Sequence, residues 1–252
     1  MHADLALALE LADLADAITL ERFRAADLEI ETKPDLTPVT EADRAVEQVL
    51  RKRIAEERPG HGVVGEEFGA DEGGDARWIV DPIDGTKNYV RGIPVFATLI
   101  AVERDGALAV GVVSAPALHR RWWAARGEGA FADGRPIRVS KVADLADAVL
   151  SHASLGSWEE HGLGDRFMAL TRRCWRTRGF GDFWSHMLVA EGAADVAAEP
   201  EVALWDLAAV QVVVEEAGGR LTDLGGTARP DGGSVVTTNG LLHDRVLAAL
   251  RP

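Results

Sequence analysis

Apolar residues recur near helical spacing at Leu5, Leu9, Leu11, Leu14 and Ile18, which predicts an amphipathic helix at the N-terminus. Thr32 to Pro38 is punctuated by prolines and reads as a loop. A second helix is predicted from about Thr40 to Glu57, ended by Pro59-Gly60-His61-Gly62. Gly69 to Asp75 is rich in Gly, Asp and Glu and is expected to be a mobile loop. The pattern then changes period. Val95 to Arg104 is an apolar run, Asp105-Gly106 is a hairpin signal, and Ala107 to Ser114 is the returning strand. Arg121 to Ala125 and Gly127 to Phe131, before a turn at Asp133-Gly134, add short antiparallel strands. Trp122 and Trp123 are adjacent on a strand and are expected on opposite faces of the sheet.

Beyond residue 145 strands and helices alternate. Strands are predicted near Ala148–Ala153, Trp175–Arg178, Asp195–Ala198, Arg220–Thr222 and Ser234–Thr237. Helices are predicted near Trp158–Arg173, Asp182–Glu191, Trp205–Ala217 (capped by Gly218-Gly219) and Leu241–Leu250. The fold class is therefore α+β leading into α/β. Residues 1–145 supply helices plus an antiparallel sheet, residues 146–252 an α/β half, and a site is expected where the halves meet.

Composition narrows the function. The formal charge of −14 argues against binding nucleic acid or an anionic membrane through a positive field. A phosphate substrate is compatible with that charge if divalent cations reverse it locally. The lone cysteine, Cys174, excludes an internal disulfide and a thiolate zinc cluster, and reads as a buried thiol. No basic, apolar leader pattern and no run of about 18 apolar residues is visible, so a cytoplasmic protein is expected.

The most informative stretch is Trp78-Ile79-Val80-Asp81-Pro82-Ile83-Asp84-Gly85-Thr86-Lys87-Asn88. An apolar strand ends in two carboxylates separated by Pro82 and Ile83, at the end where ligand sites of α/β sheets gather. The Ile83 carbonyl could add an oxygen ligand. Gly85-Thr86 can open a helix whose N–H groups suit phosphate. Glu66 and Glu67 lie upstream and Asp206 far downstream. Hard oxygen donors of this kind suit Mg²⁺. Structural roles compete: Asp81 in an Asp-Pro turn, Asp84 and Asp206 as helix caps, and Thr40 with Asp43 as a capping box.

Together, Gly65-Glu66-Glu67, Asp81-Pro82-Ile83-Asp84-Gly85-Thr86, Trp205-Asp206-Leu207-Ala208-Ala209 and Glu216-Ala217-Gly218-Gly219 resemble the inositol-monophosphatase-like family of Mg²⁺-dependent, lithium-sensitive sugar phosphatases. The resemblance runs over nearly the whole chain and implies a single domain, residues 1–252, with a layered α-β-α-β-α sugar-phosphatase fold. It implies up to three Mg²⁺ held by Glu66, Asp81, Asp84, Asp206 and the Ile83 carbonyl, with Gly85 and Thr86 binding phosphate. Asp43, Thr86 and Glu66 would be catalytic, Asp43 and Thr86 activating the attacking water, and Lys33 would lie near the metals through its loop. A homodimer is also implied.

Within the family the chain is most similar to the bacterial phosphatases that act on histidinol phosphate in histidine biosynthesis. The similarity rests on Asp84 to Pro94 (including Asn88), Ser114 to Leu118, Arg120 to Gly127, and Gly181-Asp182-Phe183. Inositol phosphatases carry a Gly-x-Arg-Ser-x-Gly-Thr segment where this chain has Arg178-Gly179-Phe180-Gly181-Asp182. Histidinol bears an ammonium and an imidazole, so a carboxylate near the leaving group would form a charge-assisted hydrogen bond. Asp182 and Glu199 are the candidates, although Asp182 could equally cap the next helix. Arg178 could contact Asp182, the phosphate, or an internal ion-pair partner, and the seven histidines read as surface or packing residues. The expected function is Mg²⁺-dependent hydrolysis of L-histidinol phosphate. The rival readings are an inositol-1-phosphate or broad sugar-phosphate phosphatase, and a non-catalytic metal-dependent binding protein.

Overall fold

The computed structural model describes residues 3–34, 36–71, 73–74 and 76–251. The chain begins with α1 (Ala3–Arg22), a short hairpin of β1 (Ile30–Thr32) and β2 (Pro38–Thr40), and α2 (Glu41–Glu57). The capping box forms as the spacing predicts: Thr40 Oγ1 accepts N–H groups of Ala42 and Asp43, and Asp43 Oδ2 accepts the Thr40 N–H at 2.8 Å. The buried stripe of α1 differs from the expected one. Leu14 faces outward, while Leu5, Ala8, Leu11, Ala12 and Ala15 are buried, and the alanines let α1 lie close to its neighbours.

The first sheet follows with β3 (Gly62–Gly65), β4 (Gly69–Asp71), β5 (Ala76–Asp84), the short α3 (Thr86–Val90), β6 (Ala97–Arg104), β7 (Ala107–Ala115), β8 (Arg120–Ala125), β9 (Gly129–Ala132) and β10 (Arg135–Pro136). Its strand order is β10-β9-β8-β7-β6-β5-β3-β4, antiparallel except where β3 runs parallel to β5. The segment expected to be a mobile loop instead starts as an edge strand, because Gly69–Asp71 pairs with β3 and Arg51 binds the Gly69 carbonyl and the Asp71 carboxylate. Glu72 and Asp75 lie outside the described residues.

The second half comprises β11 (Val149–His152), α4 (Leu155–Glu160), α5 (Gly164–Thr171), β12 (Arg176–Gly179), α6 (Asp182–Ala190), β13 (Val196–Glu199), α7 (Leu204–Glu216), β14 (Arg220–Thr222), β15 (Val235–Thr238) and α8 (His243–Leu250). The one helix expected over Trp158–Arg173 is two. The Leu163 N–H bonds the Trp158 carbonyl and the Gly162 N–H the Glu159 carbonyl, a double closure that ends α4. The second sheet has the order β12-β11-β13-β15-β14, with β11 parallel to both neighbours and β15 antiparallel to both of its own.

Packing gives the α-β-α-β-α layering. One core joins α1 and α2 to one face of the first sheet through Leu11, Val46, Leu50, Trp78 and Val112. A second joins the opposite face to α6 and α7 through Leu99, Val113, Trp122, Met187, Val210 and Val213. A third closes α4, α5 and α8 over the second sheet through Trp158, Phe167, Val196, Val236 and Val246. Trp122 and Trp123 do fall on opposite faces. Each fully buried aliphatic or aromatic side chain contributes about 1.5–3 kcal/mol. Close approach also matters. A Cβ at Gly111 on β7 would lie 2.4 Å from the Ala209 carbonyl oxygen, so α7 rests directly on the strand there.

Candidate active site

On a regular strand, side chains three residues apart face opposite sides. Asp81 and Asp84 escape that rule because the pairing of β5 with β6 shifts register between them, where Asp81 opposes Leu99 and Asp84 opposes Ala97. Pro82 has no N–H to give the ladder, and its carbonyl accepts from Thr98 Oγ1 at 2.8 Å. Asp81 Oδ1 then accepts the Ile83 N–H at 3.0 Å, and Asp84 Oδ2 accepts the Phe183 N–H at the start of α6 at 2.6 Å.

The third carboxylate comes from α7. Asp206 is the third residue of that helix rather than its cap, and its Oδ2 accepts the Ala203 N–H at 2.7 Å. Asp81, Asp84 and Asp206 each bring an oxygen within 4.8 Å of the other two. Burial pushes Asp81 and Asp84 well above the ordinary carboxylate range, and neighbouring acids add to the push. Burial likewise pushes Asp206 up to about 7. Carboxylates crowded in this way call for a cation or for protons.

Glu66 lines the same cavity and raises the proton affinity of Asp81 and Asp206, but it stands outside this triad. Its Oε1 takes the Lys33 ammonium at 2.7 Å, and Lys33 also binds Glu67 Oε1 at 2.6 Å. Burial alone would lower Lys33, yet the two glutamates outweigh it and hold the ammonium above its ordinary range.

Thr86 opens α3, its Oγ1 donating to the Ile83 carbonyl at 2.9 Å and lying 3.4 Å from Asp43 Oδ1. Burial pushes Asp43 up to about 6, with the Thr40 hydroxyl and N–H opposing and Glu67 and Glu66 reinforcing. Gly85 precedes Thr86 at φ +83°, and a Cβ there would lie 2.9 Å from the Val95 carbonyl oxygen. Gly85→Ala is therefore expected to cost about 1–3 kcal/mol. Thermal unfolding in EDTA should show a drop of roughly 2–4 °C per kcal/mol, and an unchanged midpoint would refute the strain.

Asp182, His186 and Glu199 line the same cavity, of about 630 Å³. Gly181, not Asp182, occupies the cap of α6, and Asp182 is its first helical residue. Asn88 Nδ2 donates to Asp182 Oδ2 at 3.0 Å. Burial, then Glu199 and Asp206, push Asp182 up to about 7 against the pull of Lys87 and Asn88. Glu199 ends β13, buried, and its Oε1 has no hydrogen-bond partner among the described residues. His186 Nε2 lies 3.5 Å from that oxygen.

The sequence reads His186 as a surface or packing residue, whereas the side chain is buried and lines the cavity. The signal was its position four residues after Asp182, on the same helix face. Arg178 is not brought to the site. It lies exposed on the edge strand β12 and donates to the Thr177 carbonyl at 2.7 Å.

A profile of the inositol monophosphatase family matches residues 2–252. The chain belongs to that family. It is 63% identical to the histidinol-phosphatase of Mycobacterium tuberculosis, covering 99% of this chain and 98% of the relative. It is 52% identical to the histidinol-phosphatase of Streptomyces coelicolor over 98% of this chain and 96% of that one. Among solved structures, the extragenic suppressor protein suhB from Bartonella henselae superimposes with a TM-score of 0.92 at 29% identity, covering 99% and 98% of the two chains. A Thermotoga maritima IMPase gives 0.89 at 32% identity, covering 98% and 96%. The layered sugar-phosphatase fold expected from the sequence is thus the fold of the family, and among the described residues no helix is long and apolar enough to cross a membrane.

Proposed function

We propose that this protein is a Mg²⁺-dependent phosphatase that hydrolyses L-histidinol phosphate to L-histidinol and phosphate in histidine biosynthesis. The observation that carries the reading is the acidic wall of Asp182 and Glu199, which lines one cavity together with the carboxylate triad. A polyol ester has no charge for that wall to pair with, whereas histidinol has an ammonium and an imidazole. The names of the two relatives at 63% and 52% identity support the same substrate.

The donor set fits Mg²⁺, being carboxylate oxygens clustered within 4.8 Å and carrying a charge surplus that burial makes costly. Asp81, Asp84 and Asp206 would hold it, with Glu66 and the Ile83 carbonyl serving further ions up to three. When bound, Mg²⁺ supplies a more acidic water and neutralises charge on the phosphate and leaving oxygen.

The chain's own residues do the rest. Gly85 and Thr86 cradle the phosphate at the start of α3. Asp43, with its proton affinity raised to about 6, takes the water's proton by way of the Thr86 hydroxyl, which turns its hydrogen from the Ile83 carbonyl to Asp43 Oδ1. Water adds to phosphorus as the phosphorus–oxygen bond to the alcohol breaks; the departing oxygen takes a proton from solvent, and the proton on Asp43 returns to solvent to balance it. Lys33 holds Glu66 in place. Asn88 orients Asp182 toward the substrate's cation. On this reading the chain works as one domain, in a cytoplasmic homodimer, and the kinship supports that picture.

Phosphate release with Mg²⁺ should show a kcat/KM for L-histidinol phosphate at least about tenfold above that for inositol-1-phosphate, and EDTA should abolish both. Preference for the inositol ester would discard the substrate, and no release from either would restore the binding-protein reading.

A further inference from the structure

α6 carries two groups toward the cavity on one face. Asp182 at its first turn reaches the cavity directly. His186, one turn later, is 2% exposed and sits between two polar partners. Its Nδ1 lies 2.9 Å from Thr237 Oγ1 on β15, and its Nε2 lies 3.5 Å from Glu199 Oε1 on β13. β13 and β15 are paired neighbours, Ala197 opposing Thr237, so the ring spans from one strand to the end of the next.

We propose that His186 is a positioning residue for substrate specificity: with Thr237 it aims the Glu199 carboxylate at a cationic group of the alcohol being released. This rests on the histidinol phosphate reading. A ring nitrogen facing a carboxylate oxygen carries its hydrogen there, since a lone pair in that place would repel the oxygen. The Thr237 hydroxyl, able to donate or accept, serves the other nitrogen and fixes the ring plane. The separation from Glu199 exceeds a full hydrogen bond, so His186 steers the carboxylate without tying it down. Glu199 Oε1 is buried and has no hydrogen-bond partner among the described residues, an arrangement that a ligand's N–H donor completes.

The consequence is a division of labour. Histidinol phosphate has two nitrogen-bearing groups, an aliphatic ammonium and an imidazole. The wall has two carboxylates: Asp182, held by Asn88, and Glu199, steered by His186. A phosphate ester without a cation uses neither.

The test compares wild type, His186→Leu, His186→Gln and Thr237→Val on L-histidinol phosphate and on p-nitrophenyl phosphate, which carries no cation. His186→Leu should lose about tenfold in kcat/KM on histidinol phosphate, mostly through KM, and less than about twofold on the nitrophenyl ester. The Gln amide can place an N–H near the position of Nε2, so His186→Gln should recover most of the loss. Thr237→Val, nearly isosteric, should give a smaller loss of the same kind and carries the test if His186→Leu does not fold. Equal losses on both substrates, or an unchanged KM for histidinol phosphate in both His186→Leu and Thr237→Val, would overturn the positioning role. A wild type with no activity on histidinol phosphate would instead overturn the substrate reading on which it rests.

Discussion

Asp84→Asn should lower kcat/KM by at least about a thousandfold while raising the melting temperature of the metal-free protein. The two effects share one cause. Asp84 is buried beside Asp182 and Asp206, and its Oδ2 already takes the Phe183 N–H. An asparagine can keep that hydrogen bond through its carbonyl oxygen while removing one charge from the triad. A buried like-charge cluster is a cost to the folded state that cations offset and that the variant no longer carries in full.

The pH dependence follows with a definite sign. Asp182 and Asp206 are raised to about 7 in the folded chain, above the value near 4 expected when unfolded. The folded state therefore binds protons more tightly. The stability these two groups contribute to the metal-free protein is fully present below about pH 4 and is lost as pH rises through about 7. Mg²⁺ should restore it in the wild type by preferential binding to the folded state, and restore little in Asp84→Asn. Thermal melts at pH 5 and 8, with EDTA or Mg²⁺, read all of this. A variant that melts lower than wild type by the same margin in both conditions would mean that Asp84 is simply structural.

Asp182→Asn should separate substrates. A hydrogen bond to a charged partner is worth about 1.5–3 kcal/mol, so losing the charge should cost roughly 10–100-fold in kcat/KM on histidinol phosphate. On p-nitrophenyl phosphate the loss should stay within about threefold, because Asp81, Asp84, Asp206 and Thr86 keep their side chains and only a neighbouring charge is removed. Asn88 can still donate to the asparagine carbonyl oxygen, which keeps the local geometry. Equal losses on both esters would remove Asp182 from recognition and leave the hydrolysis itself intact.

What could be read in advance depended on distance along the chain. Asp81, Asp84, Gly85 and Thr86 are contiguous, so strand, turn and carboxylates were visible together. Their convergence on one side was not, because it depends on a register shift that only pairing with β6 reveals. Asp206 is remote in sequence, and its place beside them followed from the family resemblance rather than from spacing. The capping box of Thr40 and Asp43 is local and was legible, whereas the approach of Thr86 to Asp43 is tertiary. Arg178 was misplaced because a short strand offers no clue to which of its side chains will face a cavity, and β12 lies at the edge of its sheet. His186 was passed over because a single histidine in an apolar helix resembles a packing residue until its neighbours on β13 and β15 are known.

The contact between Gly111 and Ala209 carries an evolutionary consequence. Position 111 faces no substrate, yet its missing side chain sets how deeply α7 settles onto the first sheet, and α7 delivers Asp206 to Asp81 and Asp84. A methyl there would lever the helix outward and spread the triad. Neutral drift is thus closed at a residue with no chemistry of its own, and surveys of tolerated variation should find it as constrained as the acids it serves.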